Sequence, residues 1–552
     1  MGGRQKWVYT GTTINCGENT IMNTLFVNGR VWVRKGQWEE ALAVRDNRVL
    51  AVGTREEVTS KLTNPYETVD MEGGMLMPGF HDGHLHLLMG GFSLLQLSLE
   101  GITDRHQALG LIQEKAREVE KQNGGKDQWV VGIGFDENRV QLRKADLDKL
   151  CPQIPVLIRT RDLHSAIVNE VALKLAGITS ETPYPPTGKI ERDDQGQPTG
   201  FLREEAVRMV DSVVPLPDAA VSLQAMKRAQ EQAFRYGITS VSDSIRVKNL
   251  PIYQEFHQQG HRKIRINGWR VIEEWSLENV PSNPASDMGF QVRTLKGFVD
   301  GAMGSDTAWL LEDFSHRPGY RGIGCVEERE LTKVMRKAEK LGYWVALHAI
   351  GDRANRVALN AFEQAQVTSS GRNRIEHAQL LTPKDIPRFN QLGIVASMQP
   401  IHCTDDMAWK IRKVGLERVK SAYAWRSLLD SGATLVFGTD WPVADLNPMQ
   451  GLRAAVIRRD ADGNPKEGWN LAQAVTLEEA LDIYTRGGAF GAGWEADIGT
   501  LAPGMRADMI LLDNNLFEVD PLEYAKVRVK RTWVDGEEVM NNEDDGKIKE
   551  GK

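Results

Sequence analysis

The sequence of 552 residues has few cysteines, and their spacing excludes two classes of site. Its four cysteines, Cys16, Cys151, Cys325 and Cys403, lie far apart and form no CxxC pair. A disulfide framework, a cysteine-based zinc site and an iron–sulfur site are therefore not expected. Scattered thiols fit a reducing compartment, so we expect a cytoplasmic protein.

The sequence also lacks long apolar runs and an excess of basic residues. No run of about 18 apolar residues is present, and the N-terminal residues lack the apolar core of a signal peptide, so we expect no membrane association. The net charge of −7 and the pI of about 6.0 make nucleic acid an unexpected partner. A composition of 41% hydrophobic and 26% charged residues indicates a soluble globular protein.

Short β clusters are predicted near both ends of the chain. The segment TLFVNGRVWV (24–33) contains an Asn-Gly turn, and RTWVDGEEVM (531–540) contains an Asp-Gly turn. We predict that residues 22–78 and 496–541 form one composite β-sandwich domain. This domain would bring the two ends of the chain together.

The middle of the chain alternates short apolar strands with amphipathic helical segments. Eight such strands can be counted, at residues 75–87, 237–244, 263–271, 293–301, 343–349, 372–378, 393–400 and 434–442. Strands that alternate with helices are typical of a parallel barrel. We therefore predict an α/β fold with a (β/α)8 TIM barrel over residues 79–495.

The connection between the first two predicted barrel strands is too long to be a loop. We predict that it holds an inserted α/β subdomain at about residues 100–225. Its segment RTRDLHSAIV contains His164, a candidate substrate contact. Outside the domains, residues 1–21 are predicted to be an irregular lead and residues 542–552 a disordered charged tail.

Ionisable side chains recur along the predicted barrel strands, and barrel enzymes place their chemistry at the C-terminal strand ends. The segment FHDGHLHL carries two histidines at i and i+2, which point to the same side of a strand. The residues concerned are His84 and His86 on strand one, Lys296 within strand four, His348 on strand five, His377 on strand six and Asp440 on strand eight.

A divalent metal site would explain why these side chains recur, since buried charges are rare unless they are paired. Imidazole and carboxylate ligands suit zinc, although another divalent metal stays open. Burial and a nearby cation would lower the pKa of Lys296. Its neutral amine could then react with CO2 to form a carbamate able to bridge two ions. The alternative is a structural ion pair between Lys296 and Asp300.

Taken in order, the segments resemble the metal-dependent amidohydrolase superfamily. The closer resemblance is to the branch with N-substituted formamide deformylase and uncharacterised relatives (amidohydrolase family 3), and it covers roughly residues 24–540. Leu163 stands where that branch usually has glycine. The segments are PGFHDGHLHL, LKGFVDGAMGS, LHAIGDRA, RIEHAQ, FGTDWPV and GTLAPGMRADMILLD.

The resemblance implies a role for each residue. His84 and His86 would hold a first metal, Lys296 would bridge as a carbamate, and His348 and His377 would hold a second metal. Asp440 would bind metal and act as general base. The number of zinc ions, one or two per chain, stays open.

We therefore expect an amidohydrolase that cleaves an amide, N-formyl or N-acyl C–N bond of a small molecule through a metal-activated hydroxide. His402 and Trp441 are further candidate substrate contacts. The alternatives are a deaminase of an amino-heterocycle and an inactive scaffold. Deaminases of the superfamily that the chain resembles usually carry a glutamate shortly after the strand-five histidine. The deaminase is disfavoured because the segment HAIGDRANR offers Asp352 but no glutamate. The oligomeric state is open, with a homodimer among the states to be tested.

Overall fold

The computed structural model describes residues 23–543 except 122–127, 136, 138, 161–164, 186–187, 216, 261–262, 273–274, 279, 283–286 and 368–370. The predicted lead, most of the predicted tail and His164 lie outside the described residues. The chain forms two compact units. The first unit comprises Met1–Leu85, Ala233–Val247 and Lys263–Lys552, and the second comprises His86–Gln232 and Lys248–Arg262.

Among the described residues, seven strands precede the barrel. They are β1 (Asn23–Val27), β2 (Arg30–Arg34), β3 (Gln37–Glu39), β4 (Ala41–Arg45), β5 (Arg48–Gly53), β6 (Glu67–Asp70) and β7 (Met75–Pro78), with α1 (Arg55–Thr59) between β5 and β6. Asn28 and Asp46 turn the chain between strands with positive φ values of 62° and 55°. Asn and Asp adopt this left-handed conformation more easily than other non-glycine residues.

The first barrel strand is β8 (Phe80–Leu85), and α2 (Leu87–Leu95) follows it. The strands of the insertion are β9 (Leu97–Ser98), β10 (Val130–Phe135), β11 (Val156–Thr160), β12 (Ser165–Val168), β13 (Gly188–Arg192) and β14 (Pro198–Glu204). Its helices are α3 (Arg105–Lys121), α4 (Lys144–Leu150), α5 (Glu170–Leu175) and α6 (Glu205–Asp211). The strands form one mixed sheet in the order β13-β14-β12-β11-β10-β9. This sheet packs its own apolar cores, so the insertion is a folded subdomain.

Helix α7 (Ala219–Arg235) leads back to the barrel. The remaining barrel strands are β15 (Ile238–Ile245), β16 (Arg265–Val271), β17 (Phe290–Phe298), β18 (Trp344–Ala349), β19 (Arg374–His377), β20 (Val395–Met398) and β21 (Leu435–Phe437). The helices that follow α7 are α8 (Leu250–Gln258), α9 (Glu328–Lys340), α10 (Asp352–Ala365), α11 (Ile386–Gln391), α12 (Pro400–Arg418), α13 (Trp425–Asp430), α14 (Pro448–Ile457), α15 (Leu477–Asp482) and α16 (Gly488–Ala492).

The eight barrel strands form one parallel sheet in the order β21-β20-β19-β18-β17-β16-β15-β8. Each of the eight predicted strand segments contributes one of these strands. The predicted (β/α)8 TIM barrel is therefore confirmed. The strands β21 and β8 stand at the two ends of this order. Just after β21, the backbone N–H of Asp440 donates to the carbonyl of His84, on β8, at 2.6 Å. The ends of the first and last strands consequently lie side by side.

The predicted first strand, 75–87, is in fact two strands in different sheets. The run divides at Gly79, between β7 and β8. A Cβ atom at Gly79 would lie 2.3 Å from Oγ1 of Thr239, so only glycine fits this crossing point. Because the run around Gly79 is apolar, the sequence pattern alone does not indicate this division.

Strands from both ends of the chain form the composite β-sandwich. The C-terminal strands are β22 (Met509–Leu512), β23 (Val529–Val534) and β24 (Glu537–Asn541). One sheet has the order β5-β4-β1-β6, and the other has the order β24-β23-β22-β7-β2-β3. Phe26, Val44, Leu76 and Trp533 belong to the apolar core that the two sheets share. The predicted domain boundaries (22–78 with 496–541, 79–495, and about 100–225) stay predictions.

A buried ion pair joins the sandwich to the barrel within the first unit. Arg265 on β16 donates from Nε and Nη2 to the Asp508 carboxylate at 2.6 and 2.8 Å. Asp508 directly precedes β22, so the pair fixes the sandwich against the barrel. Among the described residues, no helix is long and apolar enough to cross a bilayer.

Candidate metal centre

Three buried side chains meet at the C-terminal end of the barrel. His84 comes from β8, His377 ends β19, and Asp440 follows β21. One potential ligand atom from each lies within 4.8 Å of the other two. His84 Nε2 is 3.6 Å from Asp440 Oδ1, and the rings of His84 and His377 are 5.0 Å apart. This spacing suits a single metal ion, whose bonds to such ligands are about 2 Å long.

The backbone leaves two of these strand ends in an unusual conformation. His377, Ala378 and Asp440 have positive φ values of 74°, 42° and 61°. Residues other than glycine rarely adopt this conformation, which costs on the order of 1 kcal/mol or more at each position and is concentrated at functional sites. The strand ends are thus shaped to aim His377 and Asp440 at the cluster.

Asp82 joins the first and last barrel strands beside the cluster. One oxygen of its buried carboxylate accepts the backbone N–H groups of His84 at 3.1 Å and Thr439 at 3.0 Å. The other oxygen accepts the Thr439 hydroxyl at 2.6 Å. Burial raises the pKa of Asp82 to about 7 against these hydrogen bonds, which lower it. The contact fixes the separation of His84 and Asp440.

Glu376 sets the orientation of the His84 ring. His84 Nδ1 lies 2.6 Å from Glu376 Oε2, and both side chains are buried. Burial alone would raise the pKa of Glu376, but the Arg374 guanidinium and His84 lower it to about 2. An ionised Glu376 accepts a hydrogen bond from Nδ1–H, which leaves Nε2, on the Asp440 side, as the ligand nitrogen. Hydrogen-bonded carboxylates commonly orient metal-binding histidines in this way.

His377 and His348 are held by different partners. His377 Nδ1 hydrogen-bonds Gln399 Oε1 at 2.9 Å. His348 lies 4.5 Å from His377 between ring centroids, and its Nε2 is 3.1 Å from the carbonyl of Gly301. Burial lowers the pKa of His348 to about 3, and it also lowers the pKa of His84 and His377. Neutral imidazole is the form that binds metal.

Lys296 lies in the barrel interior, where its buried amine interacts with the charges of Glu376, Asp440 and Arg374. The residue is 1% exposed, and its Nζ has no hydrogen-bond partner among the described residues. Its Nζ also lies 5.3 Å from the ring centroid of Phe298 and 5.8 Å from that of Trp269. Burial lowers its pKa to about 8. A buried amine without a partner indicates a missing group that would satisfy it.

Asp300, the predicted ion-pair alternative for Lys296, has other partners. Its carboxylate accepts the backbone N–H groups of Trp309 at 2.8 Å, Ile350 at 3.0 Å and Gly351 at 2.8 Å. No ion pair between Lys296 and Asp300 is present in the described part of the chain. Asp300 instead fixes the loop after β17 to the end of β18.

The donor set fits a divalent metal ion. Two neutral imidazoles and one carboxylate converge without sulfur, and an unpartnered amine lies in the same barrel end. Hard and borderline ligands of this kind suit zinc and related divalent ions.

Comparison with known proteins identifies the family. Residues 67–540 match the amidohydrolase family. The chain belongs to this family. This amidohydrolase is 30% identical over 520 residues to the putative amidohydrolase YtcJ of Bacillus subtilis (strain 168), covering 92% of this chain and 96% of that protein. It is 26% identical to N-substituted formamide deformylase of Arthrobacter pascens, covering 90% and 94%.

A solved structure extends the similarity to the whole fold. An uncharacterized metal-dependent hydrolase from Pyrococcus furiosus matches with a TM-score of 0.74 and 28% identity, covering 91% of this chain and 100% of that one. The amidohydrolase is accordingly a metal-dependent hydrolase of carbon–nitrogen bonds other than peptide bonds. The predicted family and reaction class are confirmed.

The other predicted site residues of this amidohydrolase are placed as follows. His86 is half-buried and stands at the N-cap position of α2, where its side chain makes no capping hydrogen bond, within the second compact unit. His402 lies in the first turn of α12, its ring parallel to His377 at 6.3 Å and its Nε2 3.9 Å from Asp440 Oδ2. Trp441 is buried, and its backbone N–H donates to Thr439 Oγ1 at 3.1 Å. The roles of these three residues stay predictions.

Three functional residues of this amidohydrolase were not predicted from the sequence. Asp82, Glu376 and Gln399 make the contacts that orient the cluster. Glu376 immediately precedes His377, and Asp82 lies two residues before His84. Polar residues so close to candidate ligands, in otherwise apolar strands, were the available signal.

Proposed function

We propose that this amidohydrolase uses zinc, held by His84, His377 and Asp440, to hydrolyse N-formyl or N-acyl amines of small size. The main support is the convergence of these three side chains within 4.8 Å. Two imidazoles beside one carboxylate favour zinc over magnesium or manganese, which prefer oxygen ligands. The similarity to N-substituted formamide deformylase supports N-formyl amines as the first substrates to test.

We further propose a second ion, bridged to the first by Lys296 as a carbamate. With two ions bound, His84 and His86 would hold the first ion, and His348 and His377 the second. The lowered pKa of Lys296, about 8, makes its neutral amine accessible near neutral pH. Its Nζ would form a bond to the carbon of CO2 and release one proton, giving an anion with two oxygen ligands. The absence of a partner for Nζ among the described residues supports this assignment.

A bound zinc ion supplies a Lewis acid that lowers the pKa of water and polarises a carbonyl. Asp440 would accept the proton of the attacking water and deliver it to the leaving nitrogen. Glu376 would hold the His84 ring in one orientation during this step. His402, whose Nε2 has no hydrogen-bond partner among the described residues, would donate to the substrate beside Asp440. Trp441 and His164 are proposed as further substrate contacts.

The experiment is a hydrolysis screen of N-formyl, N-acyl and cyclic amides with zinc added, combined with metal analysis. We expect about one or two zinc ions per chain, and loss of hydrolysis in His84→Ala and Asp440→Asn. The exposed His106→Ala is the matched control and should retain activity. A protein without bound transition metal, with equal activity in all variants, would contradict the proposal. Ammonia release from an amino-heterocycle without amide hydrolysis would favour the deaminase.

We also propose that the enzyme acts in the cytoplasm as a homodimer. Cys151, Cys325 and Cys403 are free cysteines in the described part of the chain, which fits a reducing compartment. Cell fractionation and sedimentation equilibrium test the two statements separately. A protein in the secreted fraction or a monomer at micromolar concentration would contradict them.

A further inference from the structure

We propose that Phe298 is the specificity-determining residue of this amidohydrolase, and that it selects amides with an aromatic or branched apolar group next to the scissile bond. The inference rests on the proposed function, because it concerns the substrate of that site. It names a substrate class from a side chain that makes no contribution to metal binding.

The geometry of β17 places the Phe298 ring beside His348 and Lys296, two residues that the proposed function assigns to the metal centre. Lys296 and Phe298 are two residues apart on one strand, so their side chains point to the same face of the sheet. Lys296 points into the barrel interior. Phe298 lies one step further along the strand, about 7 Å closer to the C-terminal end where the cluster lies. Phe298 therefore faces the substrate side of the cluster.

Contacts to the neighbouring strand confirm this placement. The strand register pairs Phe298 of β17 with His348 of β18. The two rings are 5.6 Å apart, and Lys296 Nζ is 5.3 Å from the Phe298 ring. The ring thus touches two residues of the site, one from its own strand and one from the next.

The ring is the exposed apolar surface among these neighbours. Phe298 is 39% exposed, whereas Leu295 and Val299 are 0% exposed and Lys296 is 1% exposed. An apolar group that covers an exposed phenyl ring is favoured, since both surfaces leave water. A charged group in the same place would lose hydration without a partner. The exposed ring of Phe298 therefore selects an apolar substituent on the substrate.

A purely shielding role for Phe298 makes a different prediction. If the ring only kept water from Lys296, its removal would lower the activity toward every substrate by the same factor. If the Phe298 ring instead contacts the substrate, its removal changes the ratio of kcat/KM values between apolar and small substrates. The ratio of kcat/KM values is consequently the quantity to measure.

The test compares pairs of amides that carry benzyl or methyl on the acyl side or on the nitrogen side. In Phe298→Ala the benzyl-to-methyl ratio of kcat/KM should fall about tenfold in at least one series. Phe298→Leu should lie between this variant and the wild type. Phe517→Ala is the matched control, because Phe517 is 41% exposed on the C-terminal segment and packs on Trp38. Its ratio should change less than twofold.

An unchanged ratio in Phe298→Ala, or an equal loss for all substrates, would overturn the inference. A binding measurement distinguishes failure of this inference from failure of the proposed function. Calorimetric Kd values for the same amide pairs are measured in Asp440→Asn and in Asp440→Asn with Phe298→Ala. A benzyl preference that is present in Asp440→Asn and lost in the double variant supports the inference, even if the wild type hydrolyses no amide. Equal affinities for benzyl and methyl amides in Asp440→Asn would overturn it. Phe298→Leu replaces Phe298→Ala if thermal melting shows that the alanine variant does not fold.

Discussion

The contact between Glu376 and His84 yields a quantitative prediction for metal affinity. Replacing Glu376 by Gln removes the negative charge that accepts the Nδ1 proton at 2.6 Å, while it keeps the shape of the side chain. A hydrogen bond to a charged group contributes about 1.5–3 kcal/mol, and each 1.4 kcal/mol is a factor of about ten in a dissociation constant. The zinc Kd of Glu376→Gln should therefore rise about 10- to 100-fold, the range typical of groups that orient metal ligands.

The same substitution leaves Arg374 without its opposite charge. Arg374 Nη2 keeps two acceptors, the carbonyl of Gly83 at 2.8 Å and the Ser397 hydroxyl at 2.6 Å. Breaking a buried ion pair generally costs about 3–5 kcal/mol, and these remaining bonds place the expected loss near the lower end, at about 3 kcal/mol. The variant should fold, with a lower Tm than the wild type.

The assay is competition for zinc between the metal-free protein and a chromophoric chelator at fixed pH and temperature. Glu363→Gln is the matched control, since the Glu363 side chain on α10 is 62% exposed and pairs with Arg388. Its zinc Kd should change less than twofold. A folded Glu376→Gln protein that binds zinc as tightly as the wild type would refute the assignment of His84 Nε2 as a ligand.

Three further outcomes follow from the same structure. Lys296→Ala should lose activity and recover part of it with acetate or propionate, which replace the carbamate, and wild-type rates without rescue would make the lysine dispensable. Asp508→Asn should lower the free energy of unfolding by about 3 kcal/mol in urea titrations, the lower end of the range for a buried ion pair, because Arg265 loses its bidentate partner and keeps only Asp535. Burial alone would raise the pKa of Glu479, but Arg426 and Thr476 lower it to about 2 from the model-compound value of 4.5. Its ionised form therefore adds stability above about pH 4.5 that is lost as the pH falls toward 2. After allowance for solvent screening, Glu479→Gln should lower the free energy of unfolding by about 1 kcal/mol at pH 7, and by progressively less below pH 4.5. A loss of stability that is independent of pH would contradict this.

The barrel could be predicted from the sequence because its pattern is local. Most of the short apolar strands are followed by a helix, with β16 the exception among the described residues, and the order of the strands in the sheet follows their order in the chain. The division at Gly79 could not be predicted in this way. It depends on the approach of Thr239 from a distant part of the chain.

The candidate site was predictable only in part, for a related reason. His84, His377 and Asp440 stand at strand ends, and parallel strands bring those ends together. The partners that orient them depend on which side chains face each other across strands. Glu376 reaches His84 over 292 positions of sequence, and Gln399 reaches His377 from the next strand. No local pattern encodes such pairings.

The most direct test of the account is anomalous diffraction at the zinc edge from crystals of the zinc-loaded protein. We expect a peak at about 2.0–2.2 Å from His84 Nε2, an imidazole nitrogen of His377 and a carboxylate oxygen of Asp440. Zinc-loaded crystals whose anomalous peaks all lie away from these three side chains would contradict it.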